Sequence, residues 1–110
     1  MFSIRQLQPY LQAIRDDYAA CKLRGDHANS PWTAEMVAKF NTDLRYEIGN
    51  RYVKVITGTS VHSFICMTDM GKFCKGDILM AASWKAPAKN KARGNVLLGH
   101  YPTVQWTGIH

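Results

Sequence analysis

From residue 44 to residue 55 the chain reads Leu-Arg-Tyr-Glu-Ile-Gly-Asn-Arg-Tyr-Val-Lys-Val. Apolar and polar side chains alternate there, the pattern of a half-buried strand, and Gly49-Asn50 in the middle is a two-residue turn signal. With those two residues as the turn, Ile48 faces Arg51, Tyr46 faces Val53 and Leu44 faces Val55. One face of the hairpin is then apolar. On the other, Glu47 faces Tyr52 and lies diagonal to Lys54. A hairpin with one dry face needs a second layer to cover it, and this demand constrains the rest of the fold.

The covering layer is found upstream. Ile4, Leu7, Leu11, Ile14, Tyr18 and Cys21 recur at steps of three and four, which places them on one helix face. A proline inside a helix costs about 3 kcal/mol but little at the first position. Pro9 therefore predicts a short helical turn at 3–7 and a main helix over 9–23, with Gly25 as its C-cap. Residues 25–32 form a polar loop. A second, short helix follows, capped by Thr33 with Glu35 in its first turn, and it ends near Asn41. Met36, Val37 and Phe40 are its apolar contacts.

Downstream of the hairpin, a turn at Gly58-Thr59 leads into a strand from Val61 to Met67. The next turn lies within Thr68–Lys72, and Phe73-Cys74 begin a return strand that Gly76-Asp77 bulge or break before Ile78-Leu79-Met80. Regularity weakens from Ser83, where Pro87 opposes a central strand and residues 88–93 read as a loop or one helical turn. Val96-Leu97-Leu98 returns to the core. Residues 104–106 read as an edge strand or as extended surface chain. The expected architecture is a single α+β domain over 1–110. Two N-terminal helices pack on an antiparallel sheet of about four strands, and a basic C-terminal loop follows.

Length and composition agree with one domain. The 110 residues include 46% apolar ones, which suits one modest core, and no apolar run approaches the roughly 18 residues of a membrane span. The N-terminal Met-Phe-Ser-Ile-Arg-Gln lacks a basic-then-apolar leader pattern, so a soluble, non-secreted protein is expected. Cys21, Cys66 and Cys74 are an odd set without C-x-x-C spacing. They predict reduced, buried thiols rather than a metal site, with Cys66 and Cys74 close to one another across a hairpin.

Charge is the main functional signal. Residues 1–70 carry a net +1, whereas residues 71–110 carry six Lys/Arg against Asp77 alone. Lys85, Lys89, Lys91 and Arg93 follow Trp84 with no acid between them. Phosphate contacts need cations but little geometry, so this loop is a candidate for binding nucleic acid without sequence preference. The same charges would also dock on an acidic protein, or simply be solvated. Trp84 reads either as a plug of the sheet against the first helix or as a stacking surface for a base, and its place at a strand end favours the plug. Tyr52 and Lys54, with Arg45 nearby, lie on the polar face of the hairpin. They would form a single-strand platform if no helix covers that face; ordinary cross-strand packing is the plainer reading. Asn90 and Asn95 would add polar contacts or shape turns.

Catalytic signals are weak. His62 falls opposite Val55 and on the same face as Phe64, which suits a hydrogen-bonded core group better than a general base. Glu47 and Asp77 are the nearest carboxylates, without diagnostic spacing. Ser60, Ser63 and Ser83 lack a nucleophile-elbow context, and there is no phosphate-cradling glycine loop. No catalytic residue, metal or cofactor is assigned.

The residues Ser60-Val61-His62-x-Phe64, Gly76-Asp77-Ile78, Ala82-Ser83-Trp84-x-x-Pro87-Ala88-Lys89 and Ala92-Arg93-Gly94-Asn95 resemble, in that order, a group of small uncharacterised proteins of tailed bacteriophages. The resemblance covers roughly residues 50–98, and its specific part is the segment from Trp84 to Asn95. The connection from Cys66 to Lys75 is longer than in many such relatives. The resemblance implies a phage origin and action in the host cytoplasm, and it carries over no catalytic residue. Together these readings predict a small phage accessory protein that binds an anionic partner, foremost nucleic acid. A host-directed inhibitor docking on a defence or transcription complex is the alternative, and a small nuclease-like enzyme using His62 comes after it.

Overall fold

The computed structural model describes residues 4–22 and 31–109. Two helices, α1 (Ile4–Lys22) and α2 (Pro31–Asp43), precede seven strands. The strands are β1 (Leu44–Ile48), β2 (Tyr52–Thr57), β3 (Ser60–Cys66), β4 (Asp77–Met80), β5 (Gly94–Asn95), β6 (Val104–Gln105) and β7 (Gly108–Ile109). The first five form one antiparallel sheet in the order β1-β2-β3-β4-β5, and β6 pairs with β7 separately. The α+β class and the order of helices before sheet agree with the sequence reading; the main sheet has five strands rather than about four.

Helix α1 runs unbroken through Pro9. The hydrogen bond lost at Pro9 costs about 3 kcal/mol. Against it stand Leu7, Tyr10, Leu11 and Ile14, all fully or almost fully buried, each contributing about 1.5–3 kcal/mol. The expected break between residues 7 and 9 is thus overridden by packing. The buried stripe includes Tyr10, which the sequence reading omitted, and ends at Tyr18, because Cys21 is exposed. Of Ile4 only the backbone is described, and Gly25 as a cap and most of the 25–32 loop lie outside the described residues. Helix α2 starts at Pro31, a favoured first position, and runs on to Asp43. Thr33 therefore sits inside the helix, buried, instead of capping it.

The hairpin forms, with its register moved by two residues. Ile48 faces Val53, Glu47 faces Lys54 and Tyr46 faces Val55. The loop spans residues 49–52 and is closed by the Gly49 amide, which donates to the Tyr52 carbonyl at 2.9 Å. A shift of two preserves the faces, so Val53 and Val55 still point to the core. Arg51 and Tyr52 are released from the expected turn pairing.

Strand β3 turns at Gly58-Thr59 as expected, then departs from a regular ladder. Ile56 faces Val61 but Val55 faces Ser63, so His62 is the extra residue of a β-bulge. The bulge turns both His62 and Ser63 toward α1 and leaves Phe64 on the opposite face. His62 therefore does not face Val55 or share a face with Phe64. Gly71-Lys72 makes a tight turn closed by the paired backbones of Met70 and Phe73, and β4 begins at Asp77, after Gly76. The break at Gly76-Asp77 won over a strand beginning at Phe73.

The larger core lies between α1 and one face of the sheet, where Leu7, Tyr10, Leu11 and Ile14 meet Val53, Val55, Ile65 and Ile78. Hairpin β6-β7 closes this layer, with Ile109 fully buried and Trp106 edge-on to Tyr18. Residues 104–105 are thus paired with β7, not placed on the edge of the main sheet. Val96 returns to this core, but Leu98 is 80% exposed.

Candidate binding face

The second face of the sheet carries a smaller apolar cluster of Phe64, Cys66, Phe73 and Leu79, flanked by Tyr52, Val61, Met70 and Ala81. Among the described residues, both helices lie away from this cluster. Two irregular segments frame it, residues 67–76 after β3 and residues 81–93 after β4.

The second segment is built around a tight turn. Ala81 pairs with Pro87, and the Ala88 amide donates to the Met80 carbonyl at 2.7 Å. Inside this closure the amides of Ala82 and Ser83 donate to the Ala86 carbonyl, each at 3.1 Å. The Ser83 Oγ accepts from the amides of Lys85 and Ala86 at 3.3 and 3.2 Å. Pro87 is buried. Trp84 and Lys85 are left at the tip. Trp84 is 44% exposed and lies on the face away from α1, so it does not plug the sheet against that helix. The Lys54 ammonium sits 4.7 Å from the centre of the Trp84 ring and 6.0 Å from that of Phe64. This cation–π contact joins the polar face of the hairpin to the loop tip.

Two clefts adjoin here. One, of about 470 Å³, is lined by Arg51, Tyr52, Met70, Lys72, Phe73 and Lys89 among others. The second, of about 230 Å³, is lined by Glu47, Arg51, Tyr52, Lys54, Phe64 and Lys85 among others. Arg51 and Tyr52 belong to both and form the rib between them, with the Tyr52 ring braced edge-on against Phe64 at 5.8 Å. A third hollow lies along Ser60, Val61 and Ala81–Trp84 and shares no lining residue with the two clefts.

Five of the residues named from sequence therefore come together: Tyr52, Lys54, Trp84, Lys85 and Lys89. Two do not. Arg93 borders a separate hollow with Asp77, Asn95 and His100, and Lys91 is exposed outside both clefts. Sequence reasoning missed Arg51, Lys72 and Phe73. Arg51 was hidden by the wrong hairpin register. Lys72 reaches the face because its ammonium donates to the Asn90 carbonyl at 2.6 Å, which ties the two framing segments together. Among the described residues, Lys39–Asp43 is the only ion pair, and Glu47 is the only acid lining the two clefts.

Asn95 has a structural role. Its Nδ2 donates to the Lys75 carbonyl at 3.1 Å and to Asp77 Oδ1 at 2.9 Å, and its Oδ1 accepts from the amides of Leu97 and Leu98. His62 is likewise built into the core, only 3% exposed. Its Nε2 donates to the Gln105 carbonyl at 2.6 Å, which in the neutral ring leaves Nδ1 to accept from the Ser63 hydroxyl at 2.9 Å. Tyr10 Oη donates in turn to Ser63 Oγ at 2.7 Å. Burial above all pushes the Tyr10 phenol well above its ordinary value.

Of the thiols, Cys66 is buried while Cys21 and Cys74 are exposed, which corrects the expectation that all three are buried. Burial, then the nearby Asp77 and Cys74, push the Cys66 thiol up to about 11. Among the described residues no group of three or more His, Cys, Asp or Glu could hold a metal ion, and no helix is long and apolar enough to cross a membrane.

No protein-family model, curated protein or solved structure matches the chain.

Proposed function

We propose that this protein binds nucleic acid through the sheet face opposite its helices, using the basic loop after β4 together with the β1-β2 turn. The observation that carries the reading is the convergence of Arg51, Lys54, Lys72, Lys85 and Lys89 around aromatic side chains, with no ion pair to any of them among the described residues. Five cations against one acid, Glu47, leave the concave site with an excess of positive charge that concentrates anions there. The aromatic groups between them favour a partner that offers bases as well as phosphates over an acidic protein. In this reading the protein is a small phage accessory protein acting in the host cytoplasm, the setting that its motif resemblance implies. A nuclease reading gains nothing from His62, whose two ring nitrogens are engaged within the core.

Binding measured by anisotropy against salt tests the proposal. If the five cations contact five phosphates, the log–log salt slope for a single strand is about −3.5, and affinity falls about 100-fold between 50 and 200 mM salt. Absence of binding to any DNA or RNA at the lower salt overturns it. A stoichiometric, nuclease-resistant protein partner engaging the same cations would do so as well.

A further inference from the structure

We infer that the face selects single-stranded nucleic acid, with separate bases entering the two clefts on either side of Tyr52 and a further base stacking on Trp84. The inference rests on the nucleic-acid reading above and adds the form of the ligand.

The shape of the site carries the argument. The cleft of about 470 Å³ is on the scale of small-molecule sites and the one of about 230 Å³ is smaller than that, sizes that suit one unstacked base each rather than a larger ligand. A duplex keeps its bases inside its own stack and offers a rigid phosphate surface. It would meet the rim cations and leave the clefts unfilled. Duplex readers commonly insert a helix or a two-stranded ribbon into a groove. Here the described helices lie on or beside the opposite layer, and the face itself is hollow. The apolar walls are also placed for bases. Tyr52 stands as a rib between the clefts, and its brace against Phe64 fixes the ring before any ligand arrives. The Lys54 ammonium covers one side of the Trp84 ring, and the ring stays 44% exposed. A base that stacks on the rest of that ring lies beside Lys54, whose charge can meet the adjoining phosphate. Arg51 borders both clefts, which places it to hold the phosphate between two inserted bases. Lys85 serves the smaller cleft, and Lys72 and Lys89 the larger.

The stacking groups come from separate parts of the chain. Tyr52 comes from the start of β2 and Trp84 from the loop after β4, while buried Phe73, from the β3-β4 segment, forms part of the wall of the larger cleft. The Lys72–Asn90 hydrogen bond holds the two framing segments together. The site is therefore organised in the free protein, and stacking is available without a folding step.

The test compares labelled 12-nucleotide single strands of DNA and of RNA with a 12-base-pair duplex, at 50 mM salt. Single strands are expected to bind at least tenfold more tightly than the duplex. Trp84→Ala, at an exposed position, is expected to weaken single-strand binding about 5- to 150-fold, the range for loss of one base–aromatic stack, and to leave duplex binding unchanged. Tyr52→Leu keeps apolar bulk against Phe64 and is expected to act in the same direction; its circular dichroism and melting curve report whether it is folded. Lys89→Gln is expected to weaken both forms. Equal binding of single strand and duplex, with folded Trp84→Ala and Tyr52→Leu proteins both indistinguishable from wild type, would overturn the single-strand inference while the nucleic-acid reading stands. No binding of either form at 50 mM salt overturns both.

Discussion

The chain of hydrogen bonds from Tyr10 through Ser63 to His62 ties the first helix to the bulge in β3, and its worth can be measured by a double-mutant cycle. Tyr10→Phe removes one hydroxyl and keeps the ring, which stays edge-on to His62 and Tyr101 at 6.0 and 5.2 Å, so no cavity opens. The loss is the 2.7 Å bond to Ser63 Oγ, worth about 1 kcal/mol net. Ser63→Ala removes that bond and the 2.9 Å bond to His62 Nδ1. It also leaves the Tyr10 hydroxyl facing His62 Nδ1 at 3.4 Å, and the expected cost is about 2–3 kcal/mol. In the Tyr10→Phe background the same change loses only the His62 bond. The two substitutions should therefore couple by about 1 kcal/mol. Urea unfolding at constant m gives all four free energies, and each 1 kcal/mol should also move the melting temperature by about 4–8 °C. The phenol supplies a pH signature. Its folded pKa lies above the unfolded one, so its contribution is complete below about pH 10, where a free tyrosine titrates, and is lost as pH rises further. The slope this adds is up to about 1.4 kcal/mol per pH unit, and Tyr10→Phe should abolish it. Strict additivity of the two substitutions, or equal alkaline slopes for wild type and Tyr10→Phe, would refute the proposed chain.

Three further outcomes follow from the packing. In Gly94→Ala the new methyl meets the His100 carbonyl and lies 3.0 Å from Tyr101 Cα. Both are backbone atoms, so a loss of about 1–3 kcal/mol in thermal or urea unfolding is expected. Asn95→Ala strands the Lys75 carbonyl and the Leu97 amide inside the fold, at about 2–3 kcal/mol. Asn95→Asp should cost at least as much, because it replaces a donor to the Asp77 carboxylate with a second anion. In folded protein at neutral pH, Cys21 and Cys74 should react with a thiol reagent while buried Cys66, held up to about 11, waits for unfolding; three equally fast thiols would contradict this.

Periodicity carried the outline of the fold, and its errors have specific causes. The hairpin was legible because alternation fixes which residues share a face. A turn of Gly49-Asn50 alone and a loop over 49–52 place Val53 and Val55 on the same side, so the pattern cannot choose between them. The bulge at His62 was not legible, since one inserted residue breaks the very alternation from which faces are inferred. Pro9 does not break the helix, because a local cost near 3 kcal/mol yields to a tertiary gain spread over four buried side chains. The core position of Tyr10 is not legible for a related reason: a tyrosine beside proline has no strong claim to the core until the bulge brings Ser63 beneath its hydroxyl.

The candidate site was legible in composition and not in assembly. The run from Trp84 to Arg93 has the cations, but Ser83, Pro87, Gly94 and Asn95 are there to fold it, and only Trp84, Lys85 and Lys89 belong to the candidate face. Arg51 and Lys72 complete it from turns that carry no signature of binding. Their placement depends on a register shift of two and on one long-range bond from Lys72 to Asn90, neither of which a single sequence expresses. The resembling motif is thus divided in this chain between residues that shape the loop and residues that the loop presents. Loss of Asn95 or Gly94 should lower single-strand binding and stability together, whereas loss of Lys85 or Trp84 should lower single-strand binding alone, so the same segment can be taken apart by choosing which half to change.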